Sequence, residues 1–136
     1  MKKAFTLVEL IAVVVIIGIL ATIAIPQYAN LKERSYGAEA WVNLGMLLNG
    51  EKAYYLDHDS WEYNINSLPV DNPNSSSSRR FNYACGNAGY LYCRATGIAS
   101  QGTSWQYEIE CSGCGSAGEF IKRYEKPPGG DWQEVH

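Results

Sequence analysis

Residues 1–26, MKKAFTLVELIAVVVIIGILATIAIP, contain a long apolar run that follows two lysines. The 21 residues from Phe5 to Ile25 are all apolar or small except for Thr6, Glu9 and Thr22. A helix of this length is about 30 Å long, which matches the hydrocarbon core of a bilayer. Because Lys2 and Lys3 precede the run, the positive-inside tendency predicts a cytoplasmic start and an exported remainder.

Glu9 is the unusual residue of this run, because the next charge along the chain is Lys32. An ionised acid in hydrocarbon costs a few kcal/mol on insertion scales. A secretory signal has a shorter apolar region and no use for such an acid, although residues 21–24 loosely fit a cleavage site. A simple anchor fits the length and leaves the acid unexplained. The third interpretation is that the segment contacts copies of itself and that Glu9 has a partner there.

The junction itself supports the third interpretation. Lys-Lys-Ala followed by FTLVELI, residues 5–11, resembles the leader junction of type IV pilins and type II secretion pseudopilins. The resemblance implies that a prepilin peptidase cuts between Ala4 and Phe5 and N-methylates Phe5. The family usually has Gly before the cut, so Ala4 is a departure, and we expect slower processing.

The resemblance also implies roles inside the helix. Glu9 becomes the fifth mature residue, and its carboxylate contacts the new amine of Phe5 during assembly. Charges at low dielectric penalise an unpaired state, so this contact would favour docking in one register. Gly18 and Pro26 fall where the family has helix-loosening residues, and proline removes a backbone donor. Gly18 could equally serve close helix approach.

The rest of the chain predicts an α+β fold. Helical periodicity continues to about Leu56, with an apolar stripe at Trp41, Leu44, Leu47, Leu48 and Tyr55. Residues 61–80 read as an irregular loop, and the last third alternates like strands. We expect a small antiparallel sheet of three or four strands on the second half of the helix, and the resemblance implies the same arrangement, the pilin fold. The predicted divisions are a leader at 1–4, a transmembrane and assembly helix at 5–27, and a globular part at 28–136. The tail at 127–130 is expected to be ordered only by docking.

Four cysteines follow position 84, and export favours disulfides. The possible pairings stay open: neighbours, which close the smallest loops and which we favour, or a cross-strand bond such as Cys85–Cys111. A zinc site is less well supported, because Cys85 and Cys93 are not closely spaced as a common four-cysteine site requires. A thioredoxin-like role for Cys111 and Cys114 needs a βαβ setting, which the strand-like pattern does not predict.

The function expected from these features is structural. No nucleophile and base, phosphate loop or paired acids stand out, so we expect no enzyme activity, no cofactor and no metal. Net charge is −3, which does not indicate a nucleic-acid partner. The chain is expected to be a prepilin of a type IV pilus-like filament, with copies of itself, prepilin peptidase and the pilus assembly machinery as partners. It would occupy the bacterial inner membrane first and the extracellular filament afterwards. The alternatives are a periplasmic pseudopilin of a type II secretion piston, and an anchored domain that binds a metal or a redox partner.

Overall fold

The structure is a computed structural model that describes residues 6–114 and 119–136. It contains one long helix, α1 (Leu7–His58), followed by irregular chain with short 3₁₀ turns and then by strands. Two compact units are present, Met1–Ser35 and Tyr36–His136. We call the second unit the head. The α+β class predicted from the sequence is confirmed.

The first helix is 52 residues long and ends two residues beyond the predicted limit at Leu56. It continues without interruption through Gly18 and Pro26. The helix ends at His58, and the next residue, Asp59, has a positive φ of 52°. The irregular segment that follows contains 3₁₀ turns at Ile65–Ser67 and Pro73–Ser75, each begun by an asparagine whose side chain accepts a backbone N–H two residues on. The predicted loop at 61–80 is therefore confirmed.

The sheet has five antiparallel strands in sequence order. They are β1 (Phe81–Asn87), β2 (Leu91–Gly97), β3 (Gln106–Ser112), β4 (Phe120–Lys126) and β5 (Gln133–Val135). Each strand pairs with the next along the chain, so the sheet is a simple meander. The order follows from short connections, which favour pairing between consecutive strands.

The sheet therefore has one strand more than the upper limit of the predicted three or four. The missing strand is β5, which pairs with β4 through Arg123↔Val135 and Glu125↔Gln133. The tail at 127–130, expected to be ordered only by docking, instead forms a turn in which Gly130 N donates to Pro127 O at 3.1 Å. A three-residue strand with two exposed polar positions has too little alternation to stand out in a sequence.

The core of the head lies between the carboxyl half of α1 and one face of β1, β2 and β3. Leu44, Leu47 and Leu48 on the helix are almost completely buried, as predicted for the stripe. The alternating residues that meet them are Phe81, Tyr83, Leu91, Cys93, Ala95, Tyr107, Ile109 and Cys111. Trp41 and Tyr107 join the two layers edge to face, with ring centroids 5.4 Å apart. Aromatic pairs in this geometry add about 1 kcal/mol to the burial of their area.

Candidate assembly site

The start of α1 is a closed hydrogen-bonded unit built from Thr6 and Glu9. The Thr6 backbone N–H and hydroxyl both donate to Glu9 Oε2, at 2.9 Å and 2.7 Å. In return, the Glu9 backbone N–H donates to Thr6 Oγ1 at 3.3 Å. This reciprocal pattern between residues three apart is a capping box, which satisfies backbone donors that the first helical turn otherwise leaves unpaired. Glu9 therefore stabilises the start of the helix within a single chain.

Beyond this capping box, the described part of the helix in Met1–Ser35 presents an apolar surface that is exposed within its own unit. The large apolar side chains from Leu7 to Ile25 are exposed, with values such as 73% for Leu7 and 70% for Ile25. An 18-residue window of the helix has a mean hydropathy of 2.9 and none of it is buried. The segment is therefore long and apolar enough to cross a membrane. Exposed apolar area of this extent marks a surface that lipid or protein covers.

Three of the predicted positions in this region lie on the described helix. Glu9 is in its first turn, and Gly18 and Pro26 are within it. A Cβ atom built at Gly18 would meet nothing within 4 Å, so the packing of the single chain does not require a glycine there. Thr22 donates its hydroxyl to Ile19 O at 2.6 Å. Because proline lacks an N–H, Pro26 removes the usual donor to the Thr22 carbonyl, and a looser helix at this turn stays a prediction.

Ala4 and Phe5, the predicted cleavage and methylation positions, lie outside the described residues. Thr6 is the first described residue, and it is the residue next to Phe5 in the chain. A new amine at Phe5 would therefore be one residue before the N-cap of α1. Both Thr6 bonds go to Oε2 of Glu9, and no residue from 6 onwards that the structure describes donates to Oε1.

In the head, the structure joins the cysteines as sequence neighbours. Cys85 and Cys93 stand directly opposite each other in the β1–β2 register and form a disulfide, with Cα atoms 4.1 Å apart. This confirms the neighbour pairing that we favoured at this hairpin. Cys111 at the end of β3 is joined to Cys114 in the turn that follows. Among the described residues no cysteine is free, so cross-strand pairing through Cys111 is not what the structure has.

The rival uses of the cysteines fit the geometry less well. Sγ atoms of Cys111 and Cys114 and a carboxylate oxygen of Glu119 lie within 4.8 Å of one another. Both sulfurs are committed to a disulfide, however, and Glu119 is ion-paired with Lys52. The Cys111–Cys114 pair joins the end of β3 to the turn that follows, before the antiparallel strand β4, and is not in a βαβ unit. The arrangement therefore stabilises a turn.

The comparisons with known proteins agree with the motif at the amino terminus of the chain. The family model described as the prokaryotic N-terminal methylation motif matches residues 1–25. The chain is 36% identical over 85 residues to a type IV major pilin protein PilE1 of Neisseria gonorrhoeae, which covers 60% of this chain and 49% of that protein. It is 41% identical over 67 residues to the type IV major pilin protein PilA of Myxococcus xanthus, covering 49% and 30% of the two chains.

A fimbrial protein of Neisseria meningitidis is 39% identical over 74 residues, with 52% of this chain and 41% of that protein covered. The chain thus spans about half or less of the length of these curated relatives. No solved structure matches it at a significant level. The methylation motif, the long apolar helix before a small antiparallel sheet, and these relatives show that the chain is similar to type IV pilins and fimbrial proteins.

Proposed function

We propose that this chain is a structural subunit of a type IV pilus-like filament and not an enzyme. The observation that carries the proposal is the uncovered apolar surface of residues 7–25, which holds a single carboxylate at its amino-terminal end. In the membrane, lipid would cover this surface. In a filament, the same surface on neighbouring copies would cover it. The relatives are named as pilins and fimbrial proteins, which favours a pilus over a secretion pseudopilus.

Processing would prepare the assembly site. We infer that prepilin peptidase removes residues 1–4 and methylates Phe5, which places an amine beside the Thr6–Glu9 capping box. Glu9 Oε1 would accept this amine, from its own chain or from a neighbour, while Oε2 keeps its bonds to Thr6. A charge pair at low dielectric loses several kcal/mol when one partner is missing, so a subunit docked out of register would be disfavoured.

The proposed route begins in the inner membrane, where the precursor is anchored by its apolar helix, and ends in an extracellular filament. The pilus assembly machinery would move the subunit between these places. In the filament the apolar helices form the core and the heads form the outer surface. Because the heads form the outer surface in this arrangement, their exposed residues determine what the filament presents to its surroundings.

The experiment that tests this proposal combines filament preparation with mass spectrometry. Filaments sheared from the source cell should contain this chain, and its first peptide should begin at N-methylated Phe5. The membrane fraction of a strain without prepilin peptidase should contain the chain starting at Met1 or Lys2. A filament fraction that lacks the chain would overturn the proposed function. A mature start at another residue would overturn the processing step alone.

A further inference from the structure

Glu51 is a carboxyl group in the centre of the head core. It follows Leu47 and Leu48 by four and three residues, so it lies on the buried face of α1, and it is 0% exposed. Neither of its carboxylate oxygens accepts a hydrogen bond from any residue that the structure describes. An ionised carboxylate buried without a partner is strongly unfavourable, whereas the neutral acid is tolerated at lower cost.

The charged and titratable groups described around Glu51 do not neutralise the negative charge of its carboxylate. The faces of β1 and β3 that meet α1 contribute the phenols of Tyr83 and Tyr107, and the Tyr83 hydroxyl already accepts a bond from Asn43. On α1 itself, the ammonium of Lys52 is bound to Glu119. The nearby charge that acts on Glu51 is the carboxylate of Glu62, which has the same sign.

Burial raises the pKa of Glu51 from 4.5 to about 7, and the Glu62 carboxylate adds to the rise. The Glu62 backbone N–H, which is near the carboxylate but outside hydrogen-bonding geometry, opposes the rise. The acid is therefore neutral in the folded head under acidic conditions. It ionises near neutral pH, at which point its charge needs water or a changed environment.

The segment from Trp61 to Asn64 contains Glu62 and is held by side-chain contacts and not by a backbone ladder: Trp61 packs against the core, and Asn87 Nδ2 donates to Tyr63 Oη at 3.1 Å. The segment lies in neither a helix nor a strand, and it leaves α1 at Asp59, a non-glycine residue with positive φ. Trp61 holds it to the helix by stacking on Tyr55, with ring centroids 4.4 Å apart. The side chain of Glu62 accepts the Asn64 N–H at 2.8 Å, which is a bond within the segment. The strands, in contrast, are held by continuous ladders and by the Cys85–Cys93 disulfide.

We propose that Glu51 and Glu62 form a proton-operated switch, in which protonated Glu51 keeps the Trp61–Asn64 segment closed over the end of α1 and ionised Glu51 opens it. Opening admits water to the carboxylate and separates two like charges. The Trp61–Asn64 segment is the part that moves, because displacing the helix or the strands around Glu51 would break their backbone hydrogen bonds. The surface of the head near Trp61 thus depends on pH.

Hydrogen exchange of the full chain in detergent, read by mass spectrometry on peptides covering residues 59–68, tests the proposal. Exchange rates are divided by the intrinsic rate at each pH. Between about pH 5 and about pH 7 we expect the corrected exchange of this segment to rise by up to tenfold per pH unit, and then to level off. Peptides of β1 and β2 should change much less. Corrected exchange that does not change with pH would overturn the proposal.

Matched variants identify the group responsible. Glu51→Gln should remove the pH dependence of the corrected exchange, whereas Asp57→Asn, an exposed acid on the same helix, should retain it. Glu51→Met is a second variant of similar volume, for which the same flat profile is expected if Gln is poorly accommodated. An unchanged rise in either Glu51 variant would overturn the proposal. In the unmodified chain, ¹³C-labelled glutamate carboxyls should include one that titrates near 7, and midpoints that all lie near the ordinary value would also overturn it.

Discussion

Thr6 and Glu9 hydrogen-bond to each other in both directions at the first turn of α1. The carboxylate that looks out of place in an apolar run thus has a structural role before any second subunit is present. Capping needs a side-chain acceptor at this position, and glutamine can serve as well as glutamate. The proposed pairing of Glu9 with the Phe5 amine needs the negative charge. The two roles can therefore be separated by mutation.

The first prediction concerns this separation. Glu9→Gln should keep the helix start and membrane insertion but should reduce the number of surface filaments by about tenfold or more, because a neutral amide cannot pair with the amine. Glu9→Leu should lose both functions and fray the first turn. Immunoelectron microscopy counts the filaments, and carbonate extraction of membranes measures insertion. Normal numbers of filaments on Glu9→Gln cells would show that assembly does not require the negative charge of Glu9.

The second prediction compares two glycines on α1 in the head. A Cβ at Gly37 would come within 2.8 Å of Tyr107 Oη, whereas one at Gly45 would meet nothing within 4 Å. Gly37→Ala should therefore destabilise the head by about 1–3 kcal/mol through overpacking. Gly45→Ala should stabilise it by up to about 1 kcal/mol, since alanine is the better helix former.

Denaturation of the full chain in detergent, followed by near-ultraviolet circular dichroism, measures both glycine variants. A further Tyr107→Phe change should restore part of the stability lost in Gly37→Ala, because it removes the atom that a Cβ would approach most closely. Equal effects of the two glycine substitutions would show that the Gly37–Tyr107 approach does not limit the packing.

The third prediction ranks the two disulfides. Cys85–Cys93 closes a loop with a sequence separation of 8, and Cys111–Cys114 closes one with a separation of 3. Loop-closure entropy predicts losses of about 2.5 and about 1.5 kcal/mol when each pair is replaced by alanine. Peptide mapping without reduction should recover both neighbour pairs. A peptide that links Cys85 to Cys111 would contradict the pairing, and a larger loss for the second pair would contradict the ranking.

The fourth prediction follows from the raised pKa of Glu51. The folded-state pKa of Glu51, about 7, exceeds the ordinary glutamate value of 4.5, so the unfolded chain ionises first as the pH rises. The contribution of this residue to folding is therefore lost between about pH 4.5 and about pH 7, and the loss amounts to about 3 kcal/mol. Glu51→Met should approach the stability of the unmodified chain in acid and exceed it at about pH 8. A stability difference between the two that stays constant with pH would contradict this.

The sequence predicts the elements whose residues repeat with a strong period. Burial of one face stabilises both α1 and the strands, and it leaves a periodic pattern in the sequence. This pattern is seen in Leu44, Leu47 and Leu48 and in the alternation along β1 and β2. The strand β5 is not predicted, because its pairing with β4 depends on backbone hydrogen bonds. These bonds produce no alternation of buried and exposed residues in a strand of three mostly exposed side chains.

The sequence predicts the roles of Glu9 and Glu51 only in part. The Thr6-x-x-Glu9 spacing is a capping-box signature, while the apolar surroundings of Glu9 indicate only that its charge is unusual. Glu51 is seven residues after Leu44 and therefore lies on the same helical face, although it is not part of the predicted apolar stripe. The side-chain period places it in the core, but its lack of a hydrogen-bond partner depends on distant segments such as that of Glu62 and requires the fold.

Cryo-electron microscopy of filaments sheared from the source cell tests the central claim most directly. The account predicts a filament whose core consists of the apolar helices of this chain, with Glu9 within bonding distance of a Phe5 amine and with the five-stranded heads outside. A filament core built from another protein, or helices of this chain exposed on the filament surface, would contradict it.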